Sequence, residues 1–425
     1  MPMRRTADWA SRCAASLIAL IATTTVPDRA VAIEPHGKPI LAKITTYNPD
    51  YQIFDFLAVP VDDRSFEASR PFVVAWDADN HASSLAQSGR KGRPDSTILR
   101  MYTFQGRKIK VVSTPVGLST FAYFKPSEVR LSSLGKLDRG NVLMVSEATY
   151  KPNGRAKSAI LGQSYLASEI DTSSPYWMTD DVPASNAVTT FVVNLKSGGA
   201  YFAHFAVPVA GAEPASVRAK RLNRIFSTRP EEETELALGF PATPVQMETL
   251  EAGFLALFSQ QTEGAPRAHL QRYDDLAAKV GTTVTFEGAD AASFFRILPF
   301  ADGRIIFFEV RPAESGGSDI VYTPLSAELQ PLALPTILKT TDTRLADMKL
   351  VALKGGGFLI AESSPGREWT KNSVARFTND FRRKGRPWAF EARDKVALLD
   401  VGRGRAVVAY KTKTGGRLLI QGLSY

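Results

Sequence analysis

The sequence is poor in the residues that most often carry reactive chemistry. It holds one cysteine, Cys13, and four histidines, His36, His81, His204 and His269. A single cysteine excludes an internal disulfide framework and a cysteine-built metal cage. No two histidines have metal-ligand spacing, and His204 and His269 fall inside strand-like runs where a structural role is expected. There is no Gly-x-Ser-x-Gly, no phosphate-cradling glycine loop and no cysteine nucleophile. No metal, cofactor or catalytic residue is therefore expected from motifs. Long helical periods are also missing, while 30 glycines and 26 prolines recur along the chain. That pattern argues against a helical protein.

Long apolar runs are confined to the N-terminus. Arg4, Arg5 and Arg12 precede an apolar and small-residue stretch from Cys13 to Val26, and Ala30-Val31-Ala32 follows. That order reads as a secretory signal peptide over 1–32, too short to span a bilayer comfortably. A periplasmic or secreted protein with no transmembrane segment follows, and residues 33–425 form its mature domain. Removing 1–32 takes away four basic and two acidic residues, so the net charge falls from +9 to +7. A basic balance draws a protein toward anionic surfaces such as polysaccharide or lipid head groups, without naming a ligand.

What the chain does have is repetition. A turn is followed by an apolar, aromatic-rich run seven times: Pro71–Trp76, Gly140–Val145, Gly199–Phe205, Gly253–Phe258, Gly303–Phe308, Gly356–Ala361 and Gly404–Tyr410. From Gly140 onward the starts lie 59, 54, 50, 53 and 48 residues apart. Each run suits a strand buried on both faces. A partner strand precedes the turn, for example Val245–Leu250 or Met348–Leu353. A third strand follows, for example Val217–Leu222 or Leu418–Leu423. A weaker fourth follows in most units, such as Pro387–Phe390.

Four antiparallel strands per unit of roughly 40–50 residues is the size of a propeller blade. The fold expected is all-β, a β-propeller of about seven four-stranded antiparallel blades. The last unit stops after its third strand. Ile40–Tyr47 belongs to no unit, so it is expected to pair beside Leu418–Leu423 and close the ring.

Gly356-Gly-Phe-Leu-Ile-Ala-Glu-Ser363 with Val374-Ala-Arg-Phe-Thr-Asn379, and Gly253–Ser259 with Leu270-Gln-Arg-Tyr-Asp274, carry a resemblance. They are similar to the degenerate Gly-Gly-Phe…Arg-Phe/Tyr-Asp blade repeats of bacterial exported β-propellers. The resemblance covers 245–425 with any specificity. It implies the fold and an extracytoplasmic location, and no shared catalytic residues.

On such a scaffold the connecting loops are the expected place for chemistry. Asp77–Ser96 holds Asp77, Asp79, Asn80 and His81, but lacks the glycine and distal glutamate of a calcium loop and reads as a solvated polar segment. Candidate ligand contacts are Trp369, Tyr176 and Trp177, as aromatic rings placed on one rim, with Arg155, Lys411 and Lys413 as cations there. Arg382-Arg-Lys-Gly-Arg386 forms a basic turn on the opposite rim. No basic and aromatic interleaving points to specific nucleic-acid binding.

The function expected is a monomeric, non-catalytic binding or scaffolding propeller whose partner is an anionic polysaccharide or an envelope protein. The alternative is a hydrolase or lyase acting on a polysaccharide or lactone at the channel mouth. Convergent carboxylates there would mark the alternative.

Overall fold

A computed structural model describes residues 33–425, apart from 43–51, 62–70, 80–95, 106–107, 113–115, 118–127, 138–139, 151–156, 167–175, 184–187, 207–216, 223–232, 237, 365–369 and 413–416. The expected signal peptide, 1–32, lies outside the described residues, as do Arg155, Trp369 and Lys413.

The described residues form seven antiparallel blades. The first strand, β1 (Glu34–Leu41), belongs to the last blade. Blade 1 is β2 (Gln52–Pro60), β3 (Phe72–Asp79), β4 (Ser96–Gln105) and β5 (Lys108–Val111), with the short β6 (Val116–Gly117) also on β4. Blade 2 is β7 (Glu128–Lys136), β8 (Asn141–Tyr150), β9 (Lys157–Leu166) and β10 (Tyr176–Pro183). Blade 3 is β11 (Val188–Asn194), β12 (Ala200–Ala206), β13 (Val217–Leu222) and β14 (Glu233–Leu236). Blade 4 is β15 (Thr243–Thr249), β16 (Phe254–Gln260), β17 (Arg267–Tyr273) and β18 (Lys279–Glu287). Blade 5 is β19 (Phe294–Pro299), β20 (Ile305–Pro312), β21 (Ser318–Leu325) and β22 (Thr336–Thr341).

Blades 6 and 7 share a strand. Blade 6 is β23 (Asp347–Ala352), β24 (Phe358–Ser363), β25 (Thr370–Phe377) and the first half of β26 (Arg383–Gly402). The second half of β26 opens blade 7, followed by β27 (Arg405–Lys411), β28 (Leu418–Ser424) and β1. Pro387–Phe390, which the sequence suggests as a separate fourth strand, is thus continuous with the first strand of blade 7 in one 20-residue strand.

The first strands of successive blades neighbour one another around a closed ring, β2, β7, β11, β15, β19, β23 and late β26, which returns to β2. They line the centre. The ring closes as expected, with Ile40 opposite Ile420 and Leu41 opposite Leu419. The closing strand begins earlier than expected, at Glu34, and residues 43–47 of the expected strand lie outside the described residues. Pro35, Gly37 and Pro39 hide that start in the sequence. They are tolerated because β1 is an edge strand, and its register shifts between His36 and Ile40, where Gly37 has φ 64°.

The core is divided among the seams. Seven apolar clusters each join two neighbouring blades, so every blade is buried on both faces. Trp76, Tyr102 and Phe72 meet Val407 and Ile420 between blades 1 and 7, for example, and Phe308 meets Phe358 and Phe377 between blades 5 and 6. This explains the near-continuous apolarity of the second strands.

Two turn glycines are sterically required. Gly253 has φ 74° and a Cβ there would lie 1.9 Å from the Tyr273 carbonyl oxygen. Gly357 has φ 78° and a Cβ there would lie 2.1 Å from that of Phe377. The third strand of the blade passes too close for any side chain.

Strand direction alternates, so the starts of the central strands share one face with the connections between second and third strands. We call this the entry face. The turns between first and second, and between third and fourth, strands form the reverse face.

Candidate functional site at the mouth between blades 7, 1 and 2

All seven seams carry polar links as well as apolar packing, many of them at or beside the central strands. Between blades 4 and 5 the Gln246 amide donates to the Ile297 carbonyl at 2.9 Å and accepts from its N–H at 3.0 Å. Between 5 and 6, Arg296 pairs with Asp347 at 2.6 Å and donates to the Met348 carbonyl at 3.1 Å. Thr190 links to Ser132 and Ser133 between 2 and 3. Thr249 donates to the Asn194 carbonyl between 3 and 4, and the Lys354 N–H donates to Asp400 between 6 and 7.

The seams on either side of blade 1 differ in running through two adjacent carboxyls, Asp55 and Asp77, whereas the buried Asp400 and Glu362 each serve a seam of blade 6 singly. A bulge in β2 sets Ile53 opposite Ala78 and Phe56 opposite Trp76, so Asp55 and Asp77 meet across the irregularity. Asp77 is 2% exposed. One of its oxygens accepts the Asp55 N–H at 2.5 Å, and the other accepts the Leu131 N–H of blade 2 at 3.2 Å. Beside it Asp55 stays half-exposed and forms an ion pair with Lys395 of blade 7, whose ammonium lies 5.8 Å from the centre of the Phe56 ring. Arg130 of blade 2 grips Glu128 at 2.5 Å at the start of β7.

Burial pushes the Asp77 carboxyl up to about 6, and the nearby Asp55 charge adds to that. The amides of Asp55 and Leu131 and the Lys395 charge pull the other way. A carboxyl that keeps its proton to about pH 6 thus adjoins a lysine-paired carboxylate. Unequal carboxyls side by side are a means of dividing acid and base roles.

Blade 7 puts lysines at the same two points. Lys395 precedes the pair Val396–Tyr410 as Asp55 precedes Phe56–Trp76, and Lys411 follows Tyr410 as Asp77 follows Trp76. Lys411 is 6% exposed, so this candidate ligand contact is largely buried at the end of β27.

The other sequence candidates separate. Tyr176 and Trp177 do not lie in a connection on the rim. They open β10, the outermost strand of blade 2, opposite Gly162 and Leu161 in the middle of β9, because the strand starts earlier than a connection would allow. Asp77 is not part of a solvated loop, because β3 continues through Asp79 and blade 2 covers it.

Both strand histidines are held inside blades. His269 meets Thr285 at 2.9 Å and Gln260 at 3.1 Å. His204 stacks on Phe202, and burial lowers it to about 4. Among the described residues no group of three or more His, Cys, Asp or Glu is placed to hold a metal ion. Asp77 escaped the sequence reading because its burial depends on a bulge and on a blade more than 50 residues away. Its one sequence signal was its place directly after a core tryptophan.

No family model matches the sequence, and no curated protein matches it. Solved structures share its overall course at low similarity. A Dyadobacter fermentans protein of unknown function is 9% identical with a TM-score of 0.46, covering 92% of this chain and 99% of the other. A Penicillium chrysogenum α-L-arabinanase complexed with arabinobiose is 12% identical with a TM-score of 0.44, covering 91% and 99%. A prolyl oligopeptidase B from Galerina marginata is 10% identical with a TM-score of 0.48, covering 85% of this chain and 47% of that one. This chain thus spans about half the length of that peptidase. Identities and scores this low carry no argument about activity.

Proposed function

We propose that this propeller is a hydrolase or lyase acting on a polysaccharide at the entry face, with the site at the junction of blades 7, 1 and 2. The observation that carries the reading is the unequal carboxyl pair, Asp77 with its proton held to about pH 6 and Asp55 paired with Lys395. In this reading Asp77 supplies the proton to a leaving oxygen and Asp55 acts as base or nucleophile. Lys395 orients Asp55 and offers a cation to an acidic sugar. Lys411 is proposed to extend the contact to an anionic chain, with Arg155, Lys413 and Trp369, which lie outside the described residues, proposed as further contacts.

A second reading has its own support. Both Asp77 oxygens already accept backbone amides and the side chain is almost covered, which suits a clamp for the β2 bulge in a non-catalytic glycan-binding protein. One experiment separates the two. The full chain is incubated with neutral and uronate-containing polysaccharides, and new chain ends and retention are both measured.

The catalytic reading expects cleavage with a pH limb near 6 and a loss of about 100-fold or more in Asp55→Asn and Asp77→Asn. Retention without cleavage, unchanged in Asp77→Asn, would leave only the binding reading. Location outside the cytoplasm is likewise proposed, on the N-terminal pattern of 1–32.

A further inference from the structure

The reverse face carries two features that the entry-face site does not use. The first is apolar. Between β21 and β22, and into β22, seven consecutive residues are exposed, Pro331-Leu-Ala-Leu-Pro-Thr-Ile337. Leu332 is 57% exposed, Leu334 84% and Ile337 52%. The segment is not loosely attached. The Leu332 N–H donates to the Pro324 carbonyl at 2.8 Å, Leu329 beneath it is buried, and Arg272 of blade 4 donates to the Ala327 carbonyl at 2.7 Å. Leu276, 66% exposed in the matching turn of blade 4, adds to the same face. A globular protein rarely holds this much aliphatic surface in water on a rigid support without a partner for it.

The second feature is charge. On the same face, the adjoining blades 6 and 7 present Lys354, Arg382, Arg383 and Arg403, all exposed. Arg403 stands at the tip of the tight turn between β26 and β27 with φ 54°. Arg405 lies beside it over the Phe104 ring. Within blades 6 and 7 the exposed acids there are fewer, and in the turn of blade 4 Glu251 is paired with Lys196. Asp380 sits in the blade 6 turn and Glu328 at the base of the apolar segment, while Asp302 is paired with Arg304 at 2.8 Å.

We infer that the reverse face of blades 4 to 7 docks on an anionic phospholipid surface. Leu332, Leu334 and Ile337 enter the acyl boundary, and Arg382, Arg383 and Arg403 meet the head groups. Short aliphatic insertion beside a cationic rim is the combination that holds a protein on a charged bilayer, and neither part suffices alone. A protein groove would account for the leucines but not for the arginines flanking them. A free phosphate would account for the arginines but not for the leucines. The orientation that results turns the mouth between blades 7, 1 and 2 away from the membrane.

The test is co-sedimentation of the full chain with vesicles of phosphatidylcholine, with and without phosphatidylglycerol. Wild type is expected to partition strongly only onto the anionic vesicles, and to be released by salt. Leu332→Ser, Leu334→Ser and Ile337→Ser combined should lower that partition by about tenfold. Arg382→Glu with Arg383→Glu should erase the preference for phosphatidylglycerol.

All these positions are exposed, so unchanged thermal melts are expected and identify variants that have kept the fold. Every chain compared carries the same residues 1–32, so any contribution of that segment cancels. Equal binding of wild type and the triple serine variant would overturn the inference. So would equal binding of wild type to both vesicle types, or association through the leucines with another protein and with no vesicle.

Discussion

The seam between blades 4 and 5 and the seam between blades 7 and 1 do the same mechanical work with different chemistry. In the first, the amide of Gln246 both donates to and accepts from the backbone of Ile297, and also donates to the Glu248 carboxyl of its own strand. In the second, Lys395 and Asp55 meet as ions, with Asp77 buried behind them. The amide shows that the link across adjacent central strands can be made without an ion pair. Burying Asp77 raises the free energy of its ionised form, a cost that a neutral clamp avoids. The ion pair beside the buried Asp77 is what supports placing the proposed site at blade 1.

The comparison can be broken at either end. Gln246→Leu should have the larger effect on folding. It strands the N–H and carbonyl of Ile297, whose side chain is fully buried, and is expected to cost about 2–3 kcal/mol in chemical denaturation. Gln246 also donates to Glu248 at 2.8 Å, a bond that favours the ionised carboxylate against its burial, so the cost should grow as pH rises and Glu248 ionises. A cost that did not change with pH would mean that the ionised Glu248 draws nothing from the amide.

Lys395→Met should do much less to stability, under about 1 kcal/mol, because both members of its ion pair are partly exposed. Its effect should appear in acid–base behaviour. Losing a charge that pulls the Asp77 carboxyl down should move that group still further up. If Lys395→Met destabilises more than Gln246→Leu, the lysine is the structural element and the functional reading of the mouth weakens.

Much of this architecture was legible in the sequence. The seven apolar runs correspond to β3, β8, β12, β16, β20, β24 and β27, because a strand buried between two blades must be apolar on both faces. Gly253 and Gly357 ahead of two of them are legible because the passing third strand leaves no room for a Cβ. Closure by the N-terminal segment followed from a final blade that lacked one strand.

The continuity of β26 was hidden by Pro387 and by the charged stretch Glu391–Lys395. These look like a break but sit where an outer strand crosses to become a central one.

The site was barely legible. Asp55 and Lys395 lie at opposite ends of the chain and meet only because the ring closes. Asp77 looked like the first residue of a polar loop, and only its contact with Leu131 of blade 2 makes it a buried carboxyl. Lys411 drew attention as a rim cation, and its register beside the Lys395 bulge, rather than its exposure, gives it a place near the mouth.

The most direct measurement is the difference in unfolding free energy between wild type and Asp77→Asn as pH is raised. Burial lifts Asp77 in the folded protein from 3.8 to about 6, so the folded state holds the proton where the unfolded chain has released it. Its contribution to stability is therefore fully present below about pH 4 and is lost as pH rises through about 6. Wild type should lose about 2 kcal/mol relative to Asp77→Asn between about pH 4.5 and 7.5. A difference that stays flat across that range, or that grows in favour of wild type, would show that Asp77 is an ordinary ionised clamp and would contradict the unequal pair at the mouth.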